Sequence, residues 1–173
     1  MKKLLLFTFL TLCFIACSDD DTPLVSISAD DILGTWSLTN LSSTTTQTYD
    51  FQGIKHESKT VVSGKNYDFI ITFNSNPNTY TTEGAITLQT STTTDGDTVT
   101  NEYETSAAAG LDSGDWSVSS NTLTMGSDIQ NSEMTLESYT DTKFVLKQVI
   151  NEKQNINGAI ITINGTSTIV FER

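Results

Sequence analysis

The chain has 173 residues, 36% of them hydrophobic, with 21 acidic against 9 basic side chains and a formal net charge of -12. That length makes one domain able to bury a core, while the charge leaves no basic stripe to neutralise a phosphate backbone and so excludes nucleic acid as a partner. One histidine, His56, and two cysteines, Cys13 and Cys17, both near the N-terminus, exclude His-rich metal sites and any disulfide that would staple the fold.

Lys2 and Lys3 precede an apolar run from Leu4 to Ala16, interrupted only by Thr8 and Thr11. At about 13 residues the run is shorter than the roughly 20 that a spanning helix needs, so it reads as a secretory signal. Phe14-Ile15-Ala16-Cys17 resembles a bacterial lipobox, with Phe14 standing where that motif usually has Leu. The resemblance implies cleavage before Cys17, a lipidated thiol on Cys17, and attachment to the outer membrane through acyl chains, each buried methylene of which contributes about 0.8 kcal/mol. Residues 1–16 are then the signal, 17–30 the lipidated cysteine with an acidic tether, and 31–173 the folded domain. Ser18 followed by Asp19, Asp20 and Asp21 resembles the export signal that sends some outer-membrane lipoproteins to the cell surface. As a plain charge run it reads equally as a solvated tether.

Ser28 lies three residues ahead of Asp31, and Gly34 follows Leu33, a capping-box-like spacing that predicts one helical turn. From Trp36 onward the hydrophobic period is two, with Thr, Val, Ile and aromatics in the runs and Gly, Asn, Asp and Ser between them. Tyr67, Phe69, Ile71 and Phe73 share one face of their run, while Asp68, Thr72 and Asn74 share the other. Strands are expected near 35–42, 45–52, 58–63, 66–74, 79–92, 97–106, 114–119, 122–127, 132–138, 143–152 and 159–172. Ser120-Asn121 predicts a hairpin, and Asp95-Gly96, Asn157-Gly158 and Asn164-Gly165 carry the pairs that favour primed turns. The expected fold is all-β: an up-and-down antiparallel barrel of about eight to ten strands, which removes the edges of a Thr-rich sheet from solvent. A two-sheet sandwich is the alternative, since it needs the same alternation.

Gly34-Thr35-Trp36, Thr72-Phe73-Asn74-Ser75, Gly114-Asp115-Trp116-Ser117-Val118, Leu123-Thr124-Met125 and the run from Tyr139 to Lys147 follow one another in an order that resembles the bacterial lipocalin-like lipoproteins. That family is largely without assigned function, and the resemblance spans residues 31–173. It implies that Gly34 and Trp36 close the barrel floor, with Trp116 as a second aromatic plug. It also implies that Arg173, on a face with Ile169 and Phe171, covers Trp36, as an Arg of the last lipocalin strand commonly does.

Gly-x-Ser-x-Gly elbows, Walker loops, His-Glu-x-x-His pairs and zinc-spaced cysteines are missing from the sequence, so catalysis by those routes is excluded. Glu102 with Glu104, and Asp112 with Asp115, are carboxylate pairs that read as solvated faces before they read as glycosidase machinery. No metal and no cofactor is expected. The inward faces of the expected barrel hold Phe69, Phe73, Leu88, Tyr103, Leu123, Met125 and Leu136. They suit a cavity for one small apolar ligand, or they fill the interior of a packed domain that contacts envelope proteins or glycans. A carboxylate-based enzyme acting on glycosides is the distant third reading.

Overall fold

A computed structural model of the protein describes residues 26–106, 113–127 and 130–173. One helical turn, α1 (Ala29–Ile32), leads into nine strands. These are β1 (Gly34–Phe51), β2 (Ile54–Asn74), β3 (Thr79–Thr94), β4 (Asp97–Thr105), β5 (Gly114–Ser119), β6 (Thr122–Ser127), β7 (Gln130–Thr140), β8 (Lys143–Ile156) and β9 (Ala159–Glu172). The order β2-β1-β9-β8-β7-β6-β5-β3-β4, with β2 also on β3, makes a ring of antiparallel pairings. β4 and β5 lie along the same side of β3, β4 against Ile86–Thr94 and β5 against Thr79 and Tyr80. They are two pieces of one interrupted strand, so the chain meanders through eight positions and closes where β9 meets β1.

Eleven short strands were the expectation, and the runs 35–42 with 45–52, and 58–63 with 66–74, are instead continuous as β1 and β2. The break between 58–63 and 66–74 is a register shift between Lys65 and Asp68 on β2, whereas β1 carries its shift inside the first run, between Ser37 and Ser42, and pairs with β2 without interruption through residues 43–44. A bulge inserts a residue and re-aims the side chains without ending the strand, which is why Trp36 and Leu38 are followed inside by Leu41. Tyr67 secures the bulge on β2: its hydroxyl accepts the Leu41 N–H at 3.0 Å and donates to the Gly64 carbonyl at 3.0 Å.

Asp95-Gly96 and Asn157-Gly158 form two-residue turns with φ of 52° and 94°, and 53° and 86°. Gln52-Gly53, which composition does not flag, forms a third, with φ of 53° and 84°. Positive φ at both central residues matches the twist of the flanking strands. Asn164-Gly165 is not a turn. It lies inside β9, with Gly165 between Thr45 on β1 and Ile150 on β8.

Large side chains fill the lower half, where Trp36, Phe69, Ile71, Phe73, Phe144 and Phe171 are buried with Leu123, Met125, Met134 and Leu136. β1 to β4, β8 and β9 continue past this core, and their upper parts are laced by hydroxyl pairs across strands. Ser58 meets Thr94 at 2.7 Å and Thr60 meets Thr92 at 3.1 Å on one face. Ser91 meets Thr100 at 2.9 Å and Thr93 meets Thr98 at 2.8 Å on the other. Six of the chain's 30 threonines are spent on these four pairs, each of which adds a few tenths of a kcal/mol to about 1 kcal/mol. Among the described strands, β4 pairs only with β3, and β8 beyond Lys147 pairs only with β9.

Gly84 has φ of 85° and sits where a Cβ would strike the Asp68 carbonyl oxygen, whereas Gly96, at φ 94°, has open space around it. Gly96→Ala should therefore lose only the conformational penalty of about 1–2 kcal/mol, and Gly84→Ala should lose more. Urea unfolding midpoints of the two variants check this; equal midpoints would mean that the β2–β3 contact yields freely.

Candidate functional site

Among the described residues two places are built from more than strand pairing: the floor, and a cavity above the core. At the floor the Ser28 N–H and hydroxyl donate to the Asp31 carboxylate at 2.7 and 2.9 Å, which fixes α1 at its start. These two bonds hold the Asp31 carboxyl below its usual value, the backbone bond being the larger cause. α1 then presents two carbonyls to the domain. The Trp36 indole donates to the Ile32 oxygen at 2.8 Å, and the Tyr139 hydroxyl donates to the Asp31 oxygen at 2.7 Å. Desolvation first, and the Asp31 charge second, raise the Tyr139 hydroxyl above its ordinary value.

Arg173 completes the floor. Its guanidinium carbon lies 4.1 Å from the centroid of the Trp36 ring. Nη1 donates to the Leu33 carbonyl at 2.9 Å and Nε to the Asp141 carbonyl at 2.6 Å. Gly34 turns the chain into β1 with φ of 102°, a backbone shape that an L side chain resists. Gly34, Trp36 and Arg173 are thus gathered at one point. Trp116 stands at the far end of the same layer: Trp36 meets Phe144 edge-on at 4.6 Å, Phe144 lies 6.4 Å from Phe73, and Phe73 meets Trp116 edge-on at 5.5 Å. The Trp116 indole is shared between the carbonyls of Asn74 at 3.0 Å and Thr79 at 3.1 Å. Sequence reasoning missed Tyr139 as part of this floor; its partner is a backbone oxygen, and no residue pattern encodes that contact.

Above the core the inward side chains shrink along the strands. β9 runs upward from Phe171 and Ile169 to Ser167 and Gly165, and β1 from Trp36, Leu38 and Leu41 to Ser43 and Thr45. The taper leaves a cavity of about 270 Å³. Leu41, Val62, Leu88, Tyr103 and Ile150 supply its apolar wall, and Ser43, Ser167 and Gln148 its polar wall. Of the residues expected inside the barrel, Leu88 and Tyr103 line this cavity, while Phe69, Phe73, Leu123, Met125 and Leu136 are packed into the core at 1–2% exposure. Outside the barrel, over Gly165, an open dish lies among Thr44, Thr46, Val149, Asn151 and Thr166.

Glu102 is paired with Lys65, and both Glu102 and Glu104 alternate with the cavity-lining Tyr103 on β4, so they face away from the cavity. Asp115 is on β5, and Asp112 lies outside the described residues. His56 is in β2 beside the Gln52-Gly53 turn, 3.7 Å from Asp95. Among the described residues no three His, Cys, Asp or Glu side chains converge as metal ligands. Cys17, Ser18, Asp19, Asp20 and Asp21 lie outside the described residues.

No protein-family model, no curated protein and no solved structure matches the chain. The class is defined by the fold alone: an all-β domain whose antiparallel sheet closes into a ring over an aromatic floor.

Trp36→Ala should lower the unfolding free energy by about 3–5 kcal/mol. Arg173→Ala should lower it by about 1–2 kcal/mol, the sum of an exposed cation–π contact and its hydrogen bonds to two carbonyls. Denaturant curves give both, and a Trp36→Ala protein as stable as the parent would deny the indole its closing role. A pH series checks Tyr139. Because its folded value is raised, the folded state binds the proton more tightly, so this contribution is complete below about pH 10 and is lost as pH rises through the folded value. Tyr139→Phe should remove that alkaline decline relative to the parent, at a loss of about 1 kcal/mol at neutral pH.

Proposed function

We propose that this protein is a lipid-anchored lipoprotein of the outer membrane whose barrel holds one small apolar molecule in the cavity above its core. The cavity carries the reading: five apolar side chains from five strands face an unfilled space of about 270 Å³. That space is on the order of nine water volumes, near the lower limit for a small-ligand pocket. The lipobox-like run ending at Cys17 supports the anchor, and Ser18 with Asp19, Asp20 and Asp21 supports display on the cell surface. α1 enters the domain at the floor, at the opposite end of the inward stack of side chains from the cavity, which suits an anchor reached through the segment before it. No catalytic role is assigned to the carboxylates.

Uptake of Nile red by the purified domain tests the cavity. The parent should bind it at one site, and Ile150→Trp, which fills the space from a half-buried wall position, should weaken uptake at least tenfold without shifting the unfolding midpoint. Absence of uptake by the parent would transfer the protein to the second reading, a packed surface domain that contacts envelope proteins or glycans, which the complete burial of Phe69, Phe73, Leu123 and Met125 favours. Cell fractionation tests the anchor in parallel: Cys17→Ala should leave the membrane fraction.

A further inference from the structure

The polar wall of the cavity is ordered. Ser43 on β1 is directly opposite Ser167 on β9, and Ser167 is directly opposite Gln148 on β8, so the three side chains form one row across adjacent strands. All three line the cavity. Ser167 is 6% exposed, and among the described residues its hydroxyl makes only a long bond, 3.4 Å, to the Ser42 carbonyl. Ser43 and Gln148 have no side-chain hydrogen-bond partner among the described residues. Outside the lining, Thr90, which is directly opposite the cavity-lining Val62 across β2 and β3, carries a buried hydroxyl oxygen with no partner among the described residues. The lining contains no Lys, Arg or His. The nearest cations in register, Lys65 and Lys147, are engaged with Glu102 and Glu137.

Resting on the proposed ligand-binding role, we infer that the cavity takes an uncharged amphiphile: an alkyl chain against Leu41, Leu88 and Ile150, with a hydroxyl or carbonyl head hydrogen-bonded by the Ser43–Ser167–Gln148 row. A carboxylate head would bring a charge into a space with no counter-charge, in a protein of net charge -12. An alkane would leave the row unpaired, and a site built to hydrogen-bond a hydroxyl discriminates against the analogue that lacks it. A hydroxyl is also a donor and an acceptor at once, which suits two serine hydroxyls and an amide equally.

Competition against Nile red on the full-length folded domain tests this with 1-octanol and octanoate at pH 8. Octanol should displace the dye at least tenfold more effectively than octanoate. A merely greasy cavity would show the same order, so the variants decide: Ser167→Ala and Gln148→Leu should each weaken octanol about fivefold, as one neutral hydrogen bond predicts, and by more than either changes the affinity for Nile red. Gln148→Lys should reverse the preference toward octanoate. Unchanged octanol affinity in both deletion variants, or equal affinity of the parent for octanol and octanoate, overturns the assignment of the row while leaving the cavity a carrier. Failure of the parent to bind Nile red, octanol and octanoate alike overturns the carrier reading and this inference with it.

Discussion

The stacking of Arg173 on Trp36 is the contact that joins the two ends of the folded chain. Trp36 is the third residue of the first strand and Arg173 follows the last, so the pair ties the beginning of the ring to its end where β1 meets β9. The indole is held from a second side by the Ile32 carbonyl, and the guanidinium by the carbonyls of Leu33 and Asp141. Helix, first strand, last strand and the turn between β7 and β8 therefore converge on one ring. A closed sheet needs such a fastening, because its last pairing is also its longest-range one and loop closure is costly before the contacts reward it.

Packing divides the molecule from that point upward. The aromatic layer from Trp36 through Phe144 and Phe73 to Trp116 fills the lower barrel with interlocked edges and faces, a geometry that aromatic pairs prefer. Higher up, hydroxyls replace rings and the strands hold one another through threonine and serine pairs. The cavity occurs at the boundary between these regimes. It exists because Ser167 and Gly165 succeed Ile169 on β9 while Ser43 succeeds Leu41 on β1, and two small residues side by side leave volume that no neighbour fills.

Much of this was legible in the residues. Period-two alternation marks the core-facing runs of β1, β2, β3 and β8, and the single turn at Ala29–Ile32 follows from Ser28 and Asp31. The pairs Asp95-Gly96 and Asn157-Gly158 turn where glycine supplies the positive φ. Bulges were harder, because a doubled residue breaks alternation as a turn does; only the partner strand distinguishes them. Asn164-Gly165 misleads for the same reason, since a glycine needed for close approach of β1 looks in sequence like a glycine needed for a turn. The division of inward residues into packed core and cavity wall was not legible at all. Leu123 and Leu88 are alike in type and alternation, and what separates them is height in the barrel, a property of register.

The free edge of β4 carries a further meaning for the life of the protein among its own copies. Nine residues in strand conformation, with one edge unpaired among the described strands, are a template on which another chain could add. Asp97 and Glu104 are set along that template, Glu102 being held by Lys65, so an identical neighbour approaching it meets its own sign of charge. The acidity that first served to exclude nucleic acid thus acts as a guard against self-templating, strongest at low ionic strength and weakened as salt shortens the reach of each carboxylate.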